Sequence, residues 1–125
     1  MMTKTDEAYV FDTYAILEII KGSKNYEPYL DCNIIINDFI FAELCYKLFR
    51  ESPEKANYYI GKYSLFIIHA SPQVIKEAMN FRAKNKNKNY SMTDCISYLM
   101  AKSAGIRFLT GDRGFQNLED VELVR

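Results

Sequence analysis

Short apolar runs alternating with amphipathic helical stretches constrain this chain more than any other feature. AYVF (8–11) leads into DTYAILEIIKG, where Ile16, Ile19 and Ile20 recur at helical spacing and Gly22 makes a natural stop. NIII (33–36) has the continuous apolar character of a buried parallel strand, and DFIFAELCYKLFR (38–50) after it reads as a helix. Ser52-Pro53 and Ser71-Pro72 both look like helix starts, with serine as N-cap and proline at the first helical position. Between them LFIIHA (65–70) reads as a third strand. SMTDCISYLMAKSAG then predicts a helix closed by Gly105, IRFLT a fourth strand, GDRGFQNL a loop or short helix, and VELV a short fifth strand. Residues 23–31 form a connector with a helical turn after Pro28. Such alternation predicts an α/β sandwich around a mostly parallel sheet of four to five strands.

A length of 125 residues, 49% of them apolar, fits one domain over 1–125 with a packed core. Lys plus Arg and Asp plus Glu both number 16, so any electrostatic case for nucleic acid must be local. No apolar run approaches the ~20 residues of a membrane span. The opening MMTKTDEAYVF is too polar and acidic for a signal peptide. Cys32, Cys45 and Cys95 lie far apart without CxxC spacing, which disfavours zinc or disulfide frameworks and fits a reducing, cytoplasmic setting. Cys45 and Cys95 fall within helical apolar patterns and read as small core residues.

The acids carry the chemistry. In open parallel sheets, ligands gather beyond the carboxyl ends of the strands. Asp12 follows the first strand directly and Asp112 follows the fourth by two residues. Alone, Asp12 reads equally as a helix N-cap and Asp112 as a turn residue. Glu43 sits in a largely apolar helix, where its ordinary use is an i,i+4 pair with Lys47. Asp94, three residues after Ser91, has the position of a capping-box acid. Taken together, two acids lie just past strand ends and two lie on helices that could reach the same sheet edge. A pair of carboxylates about 5 Å apart costs ~3 kcal/mol at an effective dielectric near 20. Such a cluster needs protonation or a cation, and Mg²⁺ or Mn²⁺ suits oxygen ligands. A metal so held can activate water and stabilise a phosphoryl transition state. No nucleophilic triad competes: the single histidine, His69, ends an apolar strand and reads as a structural or surface residue.

Four segments, FDT (11–13), AEL (42–44), TDCISYLMAKSAG (93–105) and LTGDRGF (109–115), resemble in order and spacing the PIN-domain family, most closely its VapC-like toxin ribonucleases. The resemblance covers almost the whole chain. It implies a PIN-like three-layer sandwich and a Mg²⁺- or Mn²⁺-dependent endoribonuclease with Asp12, Glu43, Asp94 and Asp112 as its acidic quartet. Thr13 and Thr110 match the family's hydroxyl positions. A small homodimer neutralised by a cognate antitoxin, the two forming a type II toxin–antitoxin pair, is implied as well. Three positions depart from the pattern: Tyr14 where a second small hydroxyl residue is frequent, Gly111 where a polar residue is common, and Gly114 where another acid often lies. The last leaves the occupancy of a second metal open.

RAKNKNKN (82–89) sets Arg82, Lys84, Lys86 and Lys88 at alternate positions, a solvated loop or an arm contacting RNA phosphates. The flanking glycines of Asp112 read as loop freedom, and Phe115 as the anchor of that loop. Phe39, Ile40, Phe41, Leu44, Leu48 and Phe49 exceed what one buried helix face needs, so some of them suit a dimer or antitoxin surface. Two rivals are a flavodoxin-like receiver and a catalytically inactive PIN-like module that works by binding a partner. The first needs a phosphoacceptor Asp after strand three, where this chain has IIHAS. An intact quartet weighs against the second.

Overall fold

A computed structural model describes residues 7–125; the polar opening residues 1–6, part of the segment read above as no signal peptide, lie outside the described residues. Four strands form the central sheet: β1 (Ala8–Phe11), β2 (Asn33–Ile35), β3 (Arg107–Thr110) and β4 (Val121–Leu123). Their order is β2-β1-β3-β4 and every pairing is parallel. Among the described residues, five α-helices accompany them: α1 (Thr13–Lys21), α2 (Asp38–Glu51), α3 (Pro53–Ser64), α4 (Pro72–Lys84) and α5 (Met92–Ala104).

The chain steps one way from β1 to β2 and the other way from β2 to β3. Right-handed crossovers therefore carry α1 and the α2–α5 group to opposite faces of the sheet, a three-layer sandwich. The central strands show the result. Val10, Phe11, Phe108, Leu109 and Thr110 are fully buried, as residues of a strand covered on both faces must be. Burying each phenylalanine contributes about 1.5–3 kcal/mol.

Two strand expectations change. LFIIHA is no full strand: α3 runs through Ser64, Leu65 is exposed, and only Ile67 pairs, as a single parallel bridge to Ile36. Two hydrogen bonds hold it, from Ile36 N to the Phe66 carbonyl at 3.1 Å and from Ile68 N to the Ile36 carbonyl at 2.8 Å. A short apolar run looks the same in sequence whether it pairs along its length or at one residue. For the same reason NIII is not buried throughout. β2 lies beyond β1 at the margin of the sheet, with Asn33 exposed and only Ile36 fully covered.

The two Ser-Pro starts also differ. The Ser71 hydroxyl accepts the Val74 N–H at 3.1 Å, a regular cap. Ser52 makes no side-chain cap, because its own N–H closes α2 onto the Leu48 carbonyl at 2.8 Å and fixes its backbone away from the extended form. Gly22 and Gly105 end α1 and α5 with left-handed φ of 80° and 72°, as expected. The connector's turn is a 3₁₀ helix over Lys24–Tyr29 that contains Pro28 rather than following it.

Candidate active site

The direction of chain travel reverses between β1 and β3, and a crevice opens beyond the carboxyl ends of these two strands. Here lies a cleft of about 530 Å³ lined by Asp12, Thr13, Tyr14, Glu43, Lys47, Ser91, Asp94, Gly111 and Asp112. All four acids singled out in the sequence thus face one cleft, delivered by the end of β1, by α2, by the first turn of α5, and by the loop after β3.

Asp12 is the best anchored. It is the N-cap of α1, with Oδ1 accepting the Ala15 N–H at 2.6 Å. Oδ2 accepts the Thr110 hydroxyl at 2.6 Å, and the Asp12 N–H bonds the Leu109 carbonyl at 3.1 Å. The helix cap and the cleft residue are therefore one and the same. Burial raises the Asp12 pKa to about 6; the Thr110 and Ala15 hydrogen bonds oppose the shift, and the charges of Asp112 and Glu43 add to it. Asp94 rises to about 7, first through burial and then through repulsion from Asp12, Glu43 and Asp112, with the Ser91 hydrogen bond pulling the other way. Ser91 caps α5 by accepting the Asp94 N–H at 3.0 Å. Asp94 thus has the sequence position of a capping-box acid while its charge is felt across the cleft.

Glu43 does not form the i,i+4 ion pair with Lys47. Its Oε1 instead accepts the Thr13 hydroxyl at 2.7 Å, which joins the first turn of α1 to α2. The sequence alternative fails because Thr13, itself buried, takes the carboxylate. Lys47 remains on the cleft wall without an ion pair among the described residues.

Asp112 is both a turn residue and a cleft residue. Its carboxylate accepts the Gly114 N–H at 2.8 Å and starts a 3₁₀ turn over Arg113–Phe115, while its own N–H donates to the Thr110 hydroxyl at 3.0 Å. The flanking glycines serve close approach rather than loop freedom, since neither has a positive φ. A Cβ on Gly111 would lie 2.9 Å from the Tyr26 hydroxyl, and one on Gly114 would meet an Asp112 carboxylate oxygen at 3.2 Å and the Tyr90 ring at 3.3 Å. Tyr90 also donates to the Gly114 carbonyl at 2.6 Å, so an acid at position 114 would compete with that ring. Phe115 is fully buried and stacks on Tyr90 with ring centroids 4.4 Å apart, anchoring the loop as expected.

One positioning residue escaped the sequence reading. Asn37 is fully buried at the N-terminus of α2, where Oδ1 accepts the Phe39 and Ile40 N–H groups at 3.0 and 2.9 Å. Its Nδ2 donates to the Ser97 hydroxyl at 3.1 Å, and Ser97 donates to the Thr93 carbonyl at 2.7 Å. The helices that carry Glu43 and Asp94 are joined through this link. An asparagine before an apolar helix signals a cap, but its second partner, 60 residues away, has no local signature.

Arg82, Lys84, Lys86 and Lys88 are exposed and stand outside the acidic cleft. Arg82 Nε donates to the Tyr90 carbonyl at 3.0 Å, bracing the approach to α5, and Arg82 and Lys86 line a separate hollow of about 330 Å³. His69 pairs with Asp38 at 2.7 Å on the open surface, in keeping with a surface role. Burial raises the Cys45 thiol pKa, and that of Cys95 to about 11, which disfavours the reactive thiolate form of both.

Chemically, the cleft offers carboxylate and hydroxyl oxygens, the donor set of a hard divalent cation. Among the described residues, no three His, Cys, Asp or Glu side chains stand together as a ready-made ligand group. Burial first, and the charges of the neighbouring acids second, raise the pKa values of Asp12 and Asp94, and a cation in the cleft would oppose both effects.

Solved structures share this architecture. A chain of a toxin–antitoxin complex from Klebsiella pneumoniae superposes with a TM-score of 0.77 at 17% identity, covering 91% of this chain and 95% of that one. VapC20 of Mycobacterium tuberculosis, described as a toxin that cleaves the sarcin–ricin loop, gives 0.73 at 16% identity, with 95% and 100% covered. A protein from Pyrobaculum aerophilum gives 0.68 at 16%, with 98% and 93% covered. At such identities the likeness is one of fold. No curated protein matches in sequence. The family model of the PIN domain, however, matches residues 9–121, nearly the full length. The chain belongs to the PIN domain family.

Proposed function

We propose that this protein is a metal-dependent endoribonuclease that hydrolyses RNA phosphodiester bonds with Mg²⁺ or Mn²⁺. The observation that carries this reading is the gathering of Asp12, Glu43, Asp94 and Asp112 on one cleft at the reversal point of a parallel sheet. Asp12, Asp94 and Asp112 would hold the cation directly or through waters, and Glu43 would ligate it or orient the nucleophilic water. Such a cation supplies an activated water and a counter-charge for the phosphate in the transition state. Thr110 holds the Asp12 carboxylate and Thr13 that of Glu43, each through one short hydrogen bond. The exposed lysines at 84, 86 and 88 would engage flanking phosphates.

The same reading makes the protein the toxin of a type II toxin–antitoxin pair, a cytoplasmic homodimer bound by an antitoxin. Membership of the PIN family and the toxin neighbours support it. Exposed aromatic residues on α2 and α3, Tyr46, Phe49 and Tyr58, offer apolar surface for such contacts. Among the described residues, no helix is long and apolar enough to cross a membrane.

A PIN domain that binds a partner without cleaving RNA is the second reading. It draws on the exposed aromatic residues Tyr46, Phe49 and Tyr58, which suit a partner whether or not the cleft cleaves RNA. Calorimetric titration with Mn²⁺ separates the two. The nuclease reading expects saturable binding, weakened at least about tenfold by Asp112→Asn, since even outer-shell partners count on that scale. Absence of Mn²⁺ binding by the wild type would favour the binding module.

A further inference from the structure

Beside the four acids and Thr13, the cleft is lined by Tyr14, Lys47, Ser91 and Gly111, of which Tyr14 alone brings a ring and Lys47 alone a positive charge. We propose that Tyr14 and Lys47 form a substrate-reading wall, in which Tyr14 stacks on an unpaired nucleobase beside the scissile phosphate and Lys47 contacts the neighbouring backbone phosphate. This rests on the ribonuclease reading above, and the stacking it assigns to Tyr14 requires the contacted base to be unpaired.

Tyr14 follows Asp12 and Thr13 in the first turn of α1 and lines the cleft with 57% of its surface exposed. Its neighbours Thr13 and Ala15 are buried, so the helix turns this one large ring outward at the mouth of the site. Among the described residues its ring makes no aromatic contact, whereas Tyr90, Tyr98 and Phe115 are packed ring on ring beneath the loop. An exposed aromatic face at the rim of a polar cleft is the surface on which a nucleobase stacks, and stacking requires the base to be free of a duplex.

Lys47 lies one helical turn beyond Glu43 on the same face of α2, about 6 Å along the axis. Thr13 has taken the Glu43 carboxylate, which leaves the Lys47 ammonium as the single cation lining the cleft and without an ion pair among the described residues. Four carboxylates repel a polyanion, so an entering strand needs at least one fixed positive charge at its point of entry. Lys47 supplies it at the cleft, and the lysines of 84–88 lie outside.

Steady-state cleavage of short single-stranded oligoribonucleotides that differ at one base next to the cut tests the proposal, in Mg²⁺ with the full chain. Tyr14→Ala is expected to raise KM by about tenfold and to flatten the preference among bases, with kcat little changed; Tyr14→Phe, which keeps the ring, restores both. Lys47→Gln is expected to lower the slope of log KM against log salt by about one. Duplex RNA of the same sequence should compete poorly. Wild-type cleavage with unchanged KM and base preference in Tyr14→Ala, or equal competition by duplex, would overturn the stacking wall and leave the nuclease reading standing. An unaltered salt slope in Lys47→Gln would remove Lys47 from it. A wild type that cleaves no RNA would remove both readings together. Tyr14 is exposed, so its replacement leaves the core packing in place, and circular dichroism of each variant checks the fold.

Discussion

Thr110 and Asp12, 98 positions apart in the chain, are joined by a 2.6 Å hydrogen bond between a fully buried hydroxyl and a buried carboxylate. The same hydroxyl oxygen accepts the Asp112 N–H at 3.0 Å, so one side chain ties together two acids of the cleft. Because the Thr110 bond lowers the Asp12 pKa, Thr110→Val should raise it further. The acid limb of the pH–rate profile then moves to higher pH, and Mn²⁺ affinity falls at fixed pH. Thr110→Ser, which keeps the hydroxyl, should stay near wild type. An unmoved acid limb in the valine variant would refute the coupling.

Stability of the metal-free protein should fall as pH rises. Asp12 and Asp94 titrate at about 6 and 7 in the folded chain, above the unfolded carboxylate range. The folded state therefore holds more protons between pH 4 and 7, and unfolding free energy declines through that window by several kcal/mol. Stability is fully present below pH 4 and is lost as pH passes the folded values. Saturating Mn²⁺ should reverse the trend above pH 7, since it binds the ionised carboxylates. Thermal melts across pH, in EDTA and in Mn²⁺, check both signs.

Asn37→Ala should destabilise without touching the cleft directly. It removes the cap of α2 and the bond to Ser97, each contributing about 1–2 kcal/mol. A loss of roughly 2–4 kcal/mol in urea denaturation is expected, together with weaker metal binding as α2 and α5 lose their link.

Gly111→Ala places a Cβ 2.9 Å from the Tyr26 hydroxyl, whose ring is buried and has little room to turn. Crowding of this kind costs about 1–3 kcal/mol. Adding Tyr26→Phe should recover most of the loss, a non-additivity that a double-mutant cycle measures.

Changing Lys84, Lys86 and Lys88 to Gln should weaken RNA binding evenly across sequences and flatten its salt dependence. Fluorescence anisotropy at several salt concentrations reads both. Unchanged affinity and slope would leave 84–88 as a solvated surface.

Much of this was legible in the sequence because local signals and function coincide. Asp12 shows why: the β-prone run before it and the helical period after it fix its place, and its capping role demands the same geometry as its place in the cleft. The helix stops at Gly22 and Gly105 were equally plain. Failures fell where a residue's fate depends on a distant partner. LFIIHA has the composition of a strand, but α3 consumes its start and the sheet margin offers only Ile36. Glu43 and Lys47 have ion-pair spacing, yet Thr13, 30 residues earlier, takes the carboxylate. Gly111 and Gly114 looked like hinges and are instead spaces filled by Tyr26 and Tyr90.

Incubation of the purified protein with total cellular RNA, with Mg²⁺ and with EDTA, beside the Asp12→Asn variant, tests the central claim most directly. Asparagine can still accept the Ala15 N–H as an N-cap, so the variant should fold with thermal stability equal to wild type or higher at pH 8. The account predicts discrete cleavage by the wild type in Mg²⁺, none in EDTA, and none by Asp12→Asn. Cleavage retained by the folded Asp12→Asn variant, or undiminished in EDTA, would contradict it.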